Sequence, residues 1–465
     1  MSDADVLIVG AGPAGMAAAV TARRHGLKVH VVDEQPAPGG QIWRSVETAP
    51  AAFARAILGT AYQEGRPAAE AFRSCGADYE PETQLWQIEP GFRARLTRDG
   101  KARTLAASAV ILATGAQERP VPFPGWTLPG VLTVGAAQIL LKSAGEIPVG
   151  PVWIAGSGPL PLLYLVQLLR AGGAVAGYLD TTPPGQWRRA LHHLPGALRA
   201  ARDLYKGLGW MAAVRRSGVP LVRHGVAVEA IGRERVEALR FQTARGRSAQ
   251  FAVRTLLVHE GIVPSIHPAL SLGCAVEWNQ EQDCYVPRLD AWGESSQSNV
   301  FIAGDGAGIA GAKAAQLRGE LAALKVAVKV GRLDEASASL EARSIRKRLA
   351  RELALRPFLD ALYKPRAEVF APRDDTIVCR CEEITAREIR ELAGAGQPGP
   401  NQIKTFTRAG MGPCQGRLCG YTVTRILAEA QHRPVADVGF FHIRPPLKPV
   451  TLGELACLHP GKPPS

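Results

Sequence analysis

Four of the eight cysteines fall at Cys379, Cys381, Cys414 and Cys419, a C-x-C pair and a C-x4-C pair separated by 32 residues. Four thiolates around two irons is the ligand count of an all-cysteine [2Fe–2S] cluster. Four around one zinc is the alternative that the count alone leaves open. Gly410, Gly412, Gly416 and Gly420 surround the second pair, which predicts backbone N–H groups close to the sulfurs. Arg380, Lys404, Arg408 and Arg417 flank the ligands, where positive charge would raise a cluster's potential. Cys75, Cys274, Cys284 and Cys457 stand alone and are expected to be inert. No secretory signal opens the chain, so a disulfide framework is not expected.

A second constellation lies at the start of the chain. Gly10-Ala11-Gly12-Pro13-Ala14-Gly15 is a G-x-G-x-x-G directly after the apolar run Val6 to Val9 and before a helical pattern from Ala14 to His25. Gly10 permits a tight turn, Gly12 lets backbone approach a pyrophosphate, and Gly15 lets the helix pack close with its N-terminus toward the phosphates. Asp33 ends the next strand, Val29 to Val32, where a carboxylate can bind ribose hydroxyls; Glu34 beside it could do so instead.

The same strand–turn–helix–strand unit is written again from Pro151 to Leu179. Its loop, Gly156-Ser157-Gly158-Pro159-Leu160-Pro161, has proline at the third glycine position, while Asp180 keeps the acid position. No arginine follows Asp180 to hold a 2′-phosphate, which disfavours NADP. A vestigial lobe, an NAD site and a site for another adenine nucleotide remain open for this copy.

These elements predict an α/β protein with two Rossmann-like dinucleotide-binding lobes and a small C-terminal metal module. The expected organisation is a first dinucleotide domain over 1–144 and 256–330, an inserted degenerate copy over 145–255, and a helical connector over 331–371. A cysteine module over 372–440 and a proline-rich arm over 441–465 follow. The helical stretch between Thr181 and Leu208 has no derivable role. Val152 to Leu169 is apolar enough to resemble a membrane span, but Gly156, Gly158, Pro159 and Pro161 would break one.

Further residues bring a resemblance. Gly39-Gly40-Gln41 follows the acid, Ala113-Thr114-Gly115 ends a later strand, and Gly304-Asp305 closes the last strand before a helix. Together with the first loop they resemble the two-dinucleotide-domain flavoproteins, the group of glutathione and thioredoxin reductases. The resemblance implies FAD, with Gly10, Gly12, Pro13, Ala14, Gly15, Asp33, Glu34, Gly40, Gln41, Thr114, Gly115, Gly304 and Asp305 as its contacts. Gln41-Ile42-Trp43 stands where a redox cysteine pair would follow, and the second lobe has no C-x-x-C, so this is not a disulfide reductase.

The cysteine spacing resembles the ferredoxin-like module of the bacterioferritin-associated type, which favours [2Fe–2S] over zinc. The order of parts, with Asp33-Glu34-Gln35-Pro36-Ala37-Pro38-Gly39-Gly40-Gln41 and Arg444-Pro445-Pro446-Leu447-Lys448-Pro449-Val450, resembles the alpha subunit of bacterial D-hydroxyproline dehydrogenase, opine oxidase and hydrogen cyanide synthase. That family implies an amine-oxidising FAD-containing beta subunit, often a small ferredoxin-like gamma subunit, and a respiratory acceptor. It implies a cytoplasmic location, at the inner face of the membrane where the complex docks. D-hydroxyproline dehydrogenase is the first expectation for the reaction. No catalytic residue is expected on this chain, since no nucleophile triad, paired-carboxylate site or metal-binding histidine pattern is present. An autonomous NAD(P)H-dependent reductase and a zinc scaffold are the competing readings. A net charge of +13 comes from scattered arginines without stacking aromatics, which argues against nucleic acid.

Overall fold

The apolar run Ala4–Val9 is covered on both faces, as a central parallel strand must be, and it organises the first lobe. In this computed structural model, which describes residues 2–396 and 398–458, it lies between Val29–Val32 and Lys101–Leu112. Val9 is in register with both Val32 and Leu112. Asp78–Glu80 extends one side, and Val300–Ile302 runs parallel to the end of Lys101–Leu112, with Phe301 opposite Ile111. The first half of Lys101–Leu112 carries an antiparallel flap with Arg93–Arg98 and Gln84–Glu89.

Glycine decides how the helices close on this sheet. A Cβ at Gly15 would stand 1.8 Å from the Gly10 carbonyl oxygen, so only glycine lets the helix Pro13–Arg24 start there. The helix Ala312–Lys329 crosses it at Gly319, where a Cβ would lie 2.1 Å from the Ala14 oxygen.

The second lobe is a five-stranded parallel sheet in the order Leu221–Arg223, Val175–Asp180, Val152–Ser157, Leu256–Glu260, Val131–Thr133. Two of these strands lie outside the expected 145–255 insertion. Leu256–Glu260, expected from sequence to reopen the first lobe, pairs instead with Val152–Ser157; its doubly buried apolar run reads the same in either sheet. Val131–Thr133 is too short to show a period. A three-stranded antiparallel sheet, Gly225–Ile231, Ala238–Thr243 and Ser248–Ala252, is an addition that the sequence pattern does not announce. The helix expected near Ala51 to Glu64 is broken into short turns, with Gly59 at φ +89° interrupting it.

The 331–371 stretch forms Glu335–Leu353, capped by the Asp334 carboxylate on the Ser337 N–H at 2.9 Å, and Arg356–Leu362. The cysteine module is a short hairpin, Ile377–Cys379 with Ile384–Thr385, and the helices Ala386–Ala393, Pro400–Thr407 and Gly420–Ala430. It is not a separate bead. Val378, Tyr421, Ile426 and Phe440 share one core with Val263, Ile266 and Tyr285. The arm returns to the first lobe, where the Leu447 N–H donates to the Trp86 oxygen at 2.8 Å; residues 459–465 of the expected arm lie outside the described residues. Among the described residues no helix is long and apolar enough to cross a membrane.

The crossing at Gly319 predicts that Gly319→Val lowers stability by about 1–3 kcal/mol or more through overpacking. Gly207, inside the helix Ala201–Arg216 with nothing within 4 Å of where a methyl group would stand, predicts the reverse: Gly207→Ala stabilises by about 0.5–1 kcal/mol. Thermal denaturation of the two variants checks both signs.

Candidate functional site

The first glycine loop lies at the C-terminal end of Ala4–Val9, at the point where strand order reverses, the place where open α/β sheets bind ligands. Gly10 is at φ +103°, and a Cβ there would meet the Ala113 oxygen at 2.5 Å, so its requirement is internal. Gly12 is different. The one atom within 4 Å of its Cβ position is the Gly40 Cα at 3.7 Å, so Gly12 and Gly40 bring two bare backbones together beside open space. Pro13 and Ala14 begin the helix behind them.

Asp33 is buried and already engaged: its carboxylate accepts from the N–H groups of Ala11 and Gln35, the latter at 2.7 Å. Burial raises its pKa against the pull of those two donors. A carboxylate has lone pairs beyond two, so Asp33 both braces the loop and keeps acceptor capacity. Glu34 takes another role. It pairs with Lys448 of the arm, so the second acid tethers the C-terminus.

Thr114 and Gly115 lie where Lys101–Leu112 ends, and the Gly115 oxygen accepts from the Ser265 N–H at 3.0 Å. Gly304 packs on Ala14, while Asp305 accepts from the N–H groups of Ala310 and Gly311 at 2.8 and 2.9 Å through one oxygen, leaving the other without a donor among the described residues. Gln41 contributes its backbone. Lys142 Nζ donates to the Gln41 and Ile42 oxygens at 3.1 and 3.0 Å and to Gln138 Oε1 at 2.9 Å. Burial pushes the Lys142 pKa down to about 7. Sequence reasoning missed Lys142; its signal is Gln138 and Lys142 spaced i, i+4 on the buried side of Val134–Ala144.

In the second lobe, a Cβ at Gly156 would lie 2.0 Å from the His259 oxygen, whereas at Gly158 it would meet only the His259 ring, at 3.9 Å. Pro161 is accommodated, buried, in the first turn of Pro159–Arg170. His259 pairs with Glu118 at 2.7 Å. His267 differs: its Nε2 has no partner among the described residues, and burial with Arg417 nearby lowers its pKa to about 3. Asp180 accepts from the Thr182 N–H at 3.0 Å.

The four cysteine sulfurs converge as two pairs. Cys379 neighbours Cys419, and Cys381 neighbours Cys414, closely enough for the neighbour to bear on the pKa of Cys379 and of Cys381. The Cys419 thiol, with backbone donors including Gly410, holds the Cys379 pKa down to about 6, and Cys419 itself is raised. Among the described residues, the one His/Cys/Asp/Glu group of three with ligand atoms mutually within 4.8 Å is His30, Asp78 and Glu80, so no three of these sulfurs meet that spacing. Both ring nitrogens of His30 lie against the two carboxylates, and Arg103 pairs with Glu80, so the members of that group are engaged with one another.

The flanking residues divide. Gly410 serves Cys379, and a Cβ at Gly412 would strike the Cys381 Cβ at 2.3 Å, but Gly416 and Gly420 make room for Phe441 and Phe440 rather than for sulfur. Lys404 and Arg417 feel the cysteines, while Arg408 is spent on Glu382 at 2.9 Å and Arg380 lies over Trp126. A direct bridge joins the two constellations. Gln117 Nε2 donates to the Arg417 oxygen at 2.9 Å, two residues after Gly115, a distance of at most about 7 Å along the chain.

Residues 4–331 match the family described as pyridine nucleotide-disulphide oxidoreductase, and residues 374–459 match the sarcosine oxidase A3 domain. The chain is 45% identical to the A subunit of opine oxidase from Agrobacterium tumefaciens (strain Ach5), over 98% of this chain and 92% of that protein. It is 32% identical to hydrogen cyanide synthase subunit HcnB of Pseudomonas protegens, over 96% of each. Among solved structures, L-proline dehydrogenase from P. horikoshii has the same fold, with a TM-score of 0.70 at 20% identity over 97% of this chain and 79% of that one. Loop, duplicated lobe and cysteine module thus fall within matches that run the length of these relatives, and the chain belongs to the family of the opine oxidase A subunit, oxidoreductase subunits of flavin-dependent complexes acting on CH–NH donors.

Proposed function

We propose that the chain is the electron-transferring FAD/[2Fe–2S] subunit of a heteromeric amine or imino-acid dehydrogenase. The observation that carries this is the Gln117–Arg417 hydrogen bond, which ties the segment two residues after Gly115 to the loop between Cys414 and Cys419.

The residues fit an FAD. Gly12 and Gly40 leave a backbone cradle that a side chain would fill, Asp33 retains acceptor capacity toward a ribose, and one Asp305 oxygen is open toward a ribityl or pyrophosphate group. Thr114, Gly115 and the Lys142-braced Gln41 turn would border the ring. The sulfurs fit two irons better than one zinc. Four thiolates on a zinc at about 2.3 Å would all stand within about 4 Å of one another, whereas Cys379 beside Cys419 and Cys381 beside Cys414 suit two irons with two ligands each. FAD supplies two-electron and the cluster one-electron redox chemistry when bound. The chain's own work is to hold the two groups, exclude water behind Phe440 and Phe441, and offset cluster charge with Lys404 and Arg417.

The naming of the chain's relatives as the A subunit of opine oxidase and the alpha subunit of sarcosine oxidase supports C–N oxidation at an FAD-containing beta subunit, with a small ferredoxin-like gamma subunit as a further partner and a respiratory acceptor. D-hydroxyproline and opines are the substrates to try first. Gly158 and Asp180 suit a second adenine nucleotide held without hydride delivery.

Metal analysis of the purified chain is expected to give two irons and negligible zinc per chain. Cys414→Ser is expected to remove the cluster's visible absorption and keep the FAD; one zinc and no iron contradicts the proposal. Mixed anaerobically with NADH, the chain's flavin is expected to stay oxidised, and to bleach only when a partner flavoprotein and its amine are added. Rapid bleaching by NADH alone, with steady turnover, would establish the autonomous reductase instead.

A further inference from the structure

Residues 186–216 carry the chain from Val175–Asp180 to its parallel neighbour Leu221–Arg223, and their outward side is not used by that crossover. They form Gln186–Leu191, Leu194–Ala197 and Ala201–Arg216. Their inner side is fixed: Gln186, Ala190, Ala197 and Val214 are buried, and Trp210 and Met211 pack on the main core. Their outer side carries large apolar residues in open solvent, with Trp187 56% and Tyr205 80% exposed and Leu191, Leu198 and Leu208 beside them in the sequence pattern. Tyr205 and Leu208 are spaced i, i+3 on one helix, and Leu198 stands one turn before Arg202.

Charge separates this surface from an ordinary sticky patch. Six arginines and one lysine stand between Gln186 and Arg216 against a single acid, Asp203, a net +6 within a chain of net +13. The cations are interleaved with the apolar residues rather than set apart. The Arg188 guanidinium lies 5.5 Å from the Trp187 ring and the Lys206 ammonium 5.3 Å from the Trp210 ring. Aromatic and leucine tips among Arg and Lys on short surface helices is the composition of helices that lie in a membrane interface, with the apolar side at the headgroup–acyl boundary and cations on anionic headgroups. A protein partner covering the same area would need a matching acidic and apolar face. An anionic bilayer offers both at once and needs no specific pocket.

We propose that the outer face of residues 186–216 is a peripheral docking surface for an anionic phospholipid membrane. The proposal stands independently of the redox assignment, since it rests on burial and charge alone.

The test is sedimentation of the full chain with vesicles of phosphatidylcholine alone and of an equimolar phosphatidylcholine–phosphatidylglycerol mixture. Binding is expected to the anionic vesicles only, and to weaken as salt is raised. Arg188→Glu with Arg202→Glu is expected to lower the partition coefficient about tenfold or more. The combination Trp187→Ser, Leu198→Ser, Tyr205→Ser and Leu208→Ser is expected to abolish binding. All six positions are exposed, so circular dichroism and the melting temperature should match the unmodified chain and report any variant that misfolds. Failure of the unmodified chain to sediment with either vesicle, equal sedimentation of the folded variants, or protection of this face from hydrogen exchange by another subunit of the complex overturns the proposal.

Discussion

One buried guanidinium holds the parts of this molecule in register. Arg119 leaves the first lobe and donates to the carbonyl oxygens of Glu260, Asp283 and Gln282, the last two at 2.8 and 2.6 Å. Its plane lies over the Phe370 ring, and Arg425 of the cysteine module approaches the same ring while pairing with Asp283. A guanidinium cannot shed its charge when buried, so it must find acceptors, and a fork of donors reaching three carbonyls ties strand, hairpin and connector at one point. The second lobe, the 276–287 hairpin and the cysteine module are positioned through that junction. Gln117, two residues earlier, makes the direct link to the cysteine loop.

The two lobes show how small sequence changes alter a shared plan. In the first, a Cβ at Gly15 would stand 1.8 Å from the Gly10 oxygen, so only glycine lets the helix close there, and Gly12 opens onto space. In the second, Pro161 fills the corresponding turn and the His259–Glu118 pair sits beneath Gly158. The same backbone frame carries a third glycine in one lobe and a proline in the other, while Gly12 and Gly158 both stand clear of close neighbours. This is a difference of side chains, not of topology.

Much of this is legible from the chain itself. The loop Gly10 to Gly15, its strands and the helix after it follow from apolar runs and glycine spacing that have few alternative conformations. The pairing of the cysteines is foreseeable only as a set of four, because which sulfur meets which depends on how the hairpin at Cys379 turns against the helix at Gly420. Glu34 and Asp33 look equivalent in sequence. Only the return of Lys448 from the far end of the chain separates them. Arg119 and His267 are not legible, since each takes its meaning from backbone carbonyls and rings far away in sequence, whereas Lys142 leaves a trace in its i, i+4 spacing from Gln138. Leu256–Glu260 reads into the wrong sheet for a related reason: a doubly buried strand does not state its neighbours.

Two redox centres on one core are the heart of the proposed function, one of them a two-iron cluster on Cys379, Cys381, Cys414 and Cys419. Electron paramagnetic resonance of the chemically reduced, purified chain tests this most directly. The predicted result is an iron–sulfur signal integrating to about one spin per chain, lost when Cys379 or Cys414 is replaced by serine. A reduced chain that gives no iron signal while its four cysteines hold a single zinc would contradict it.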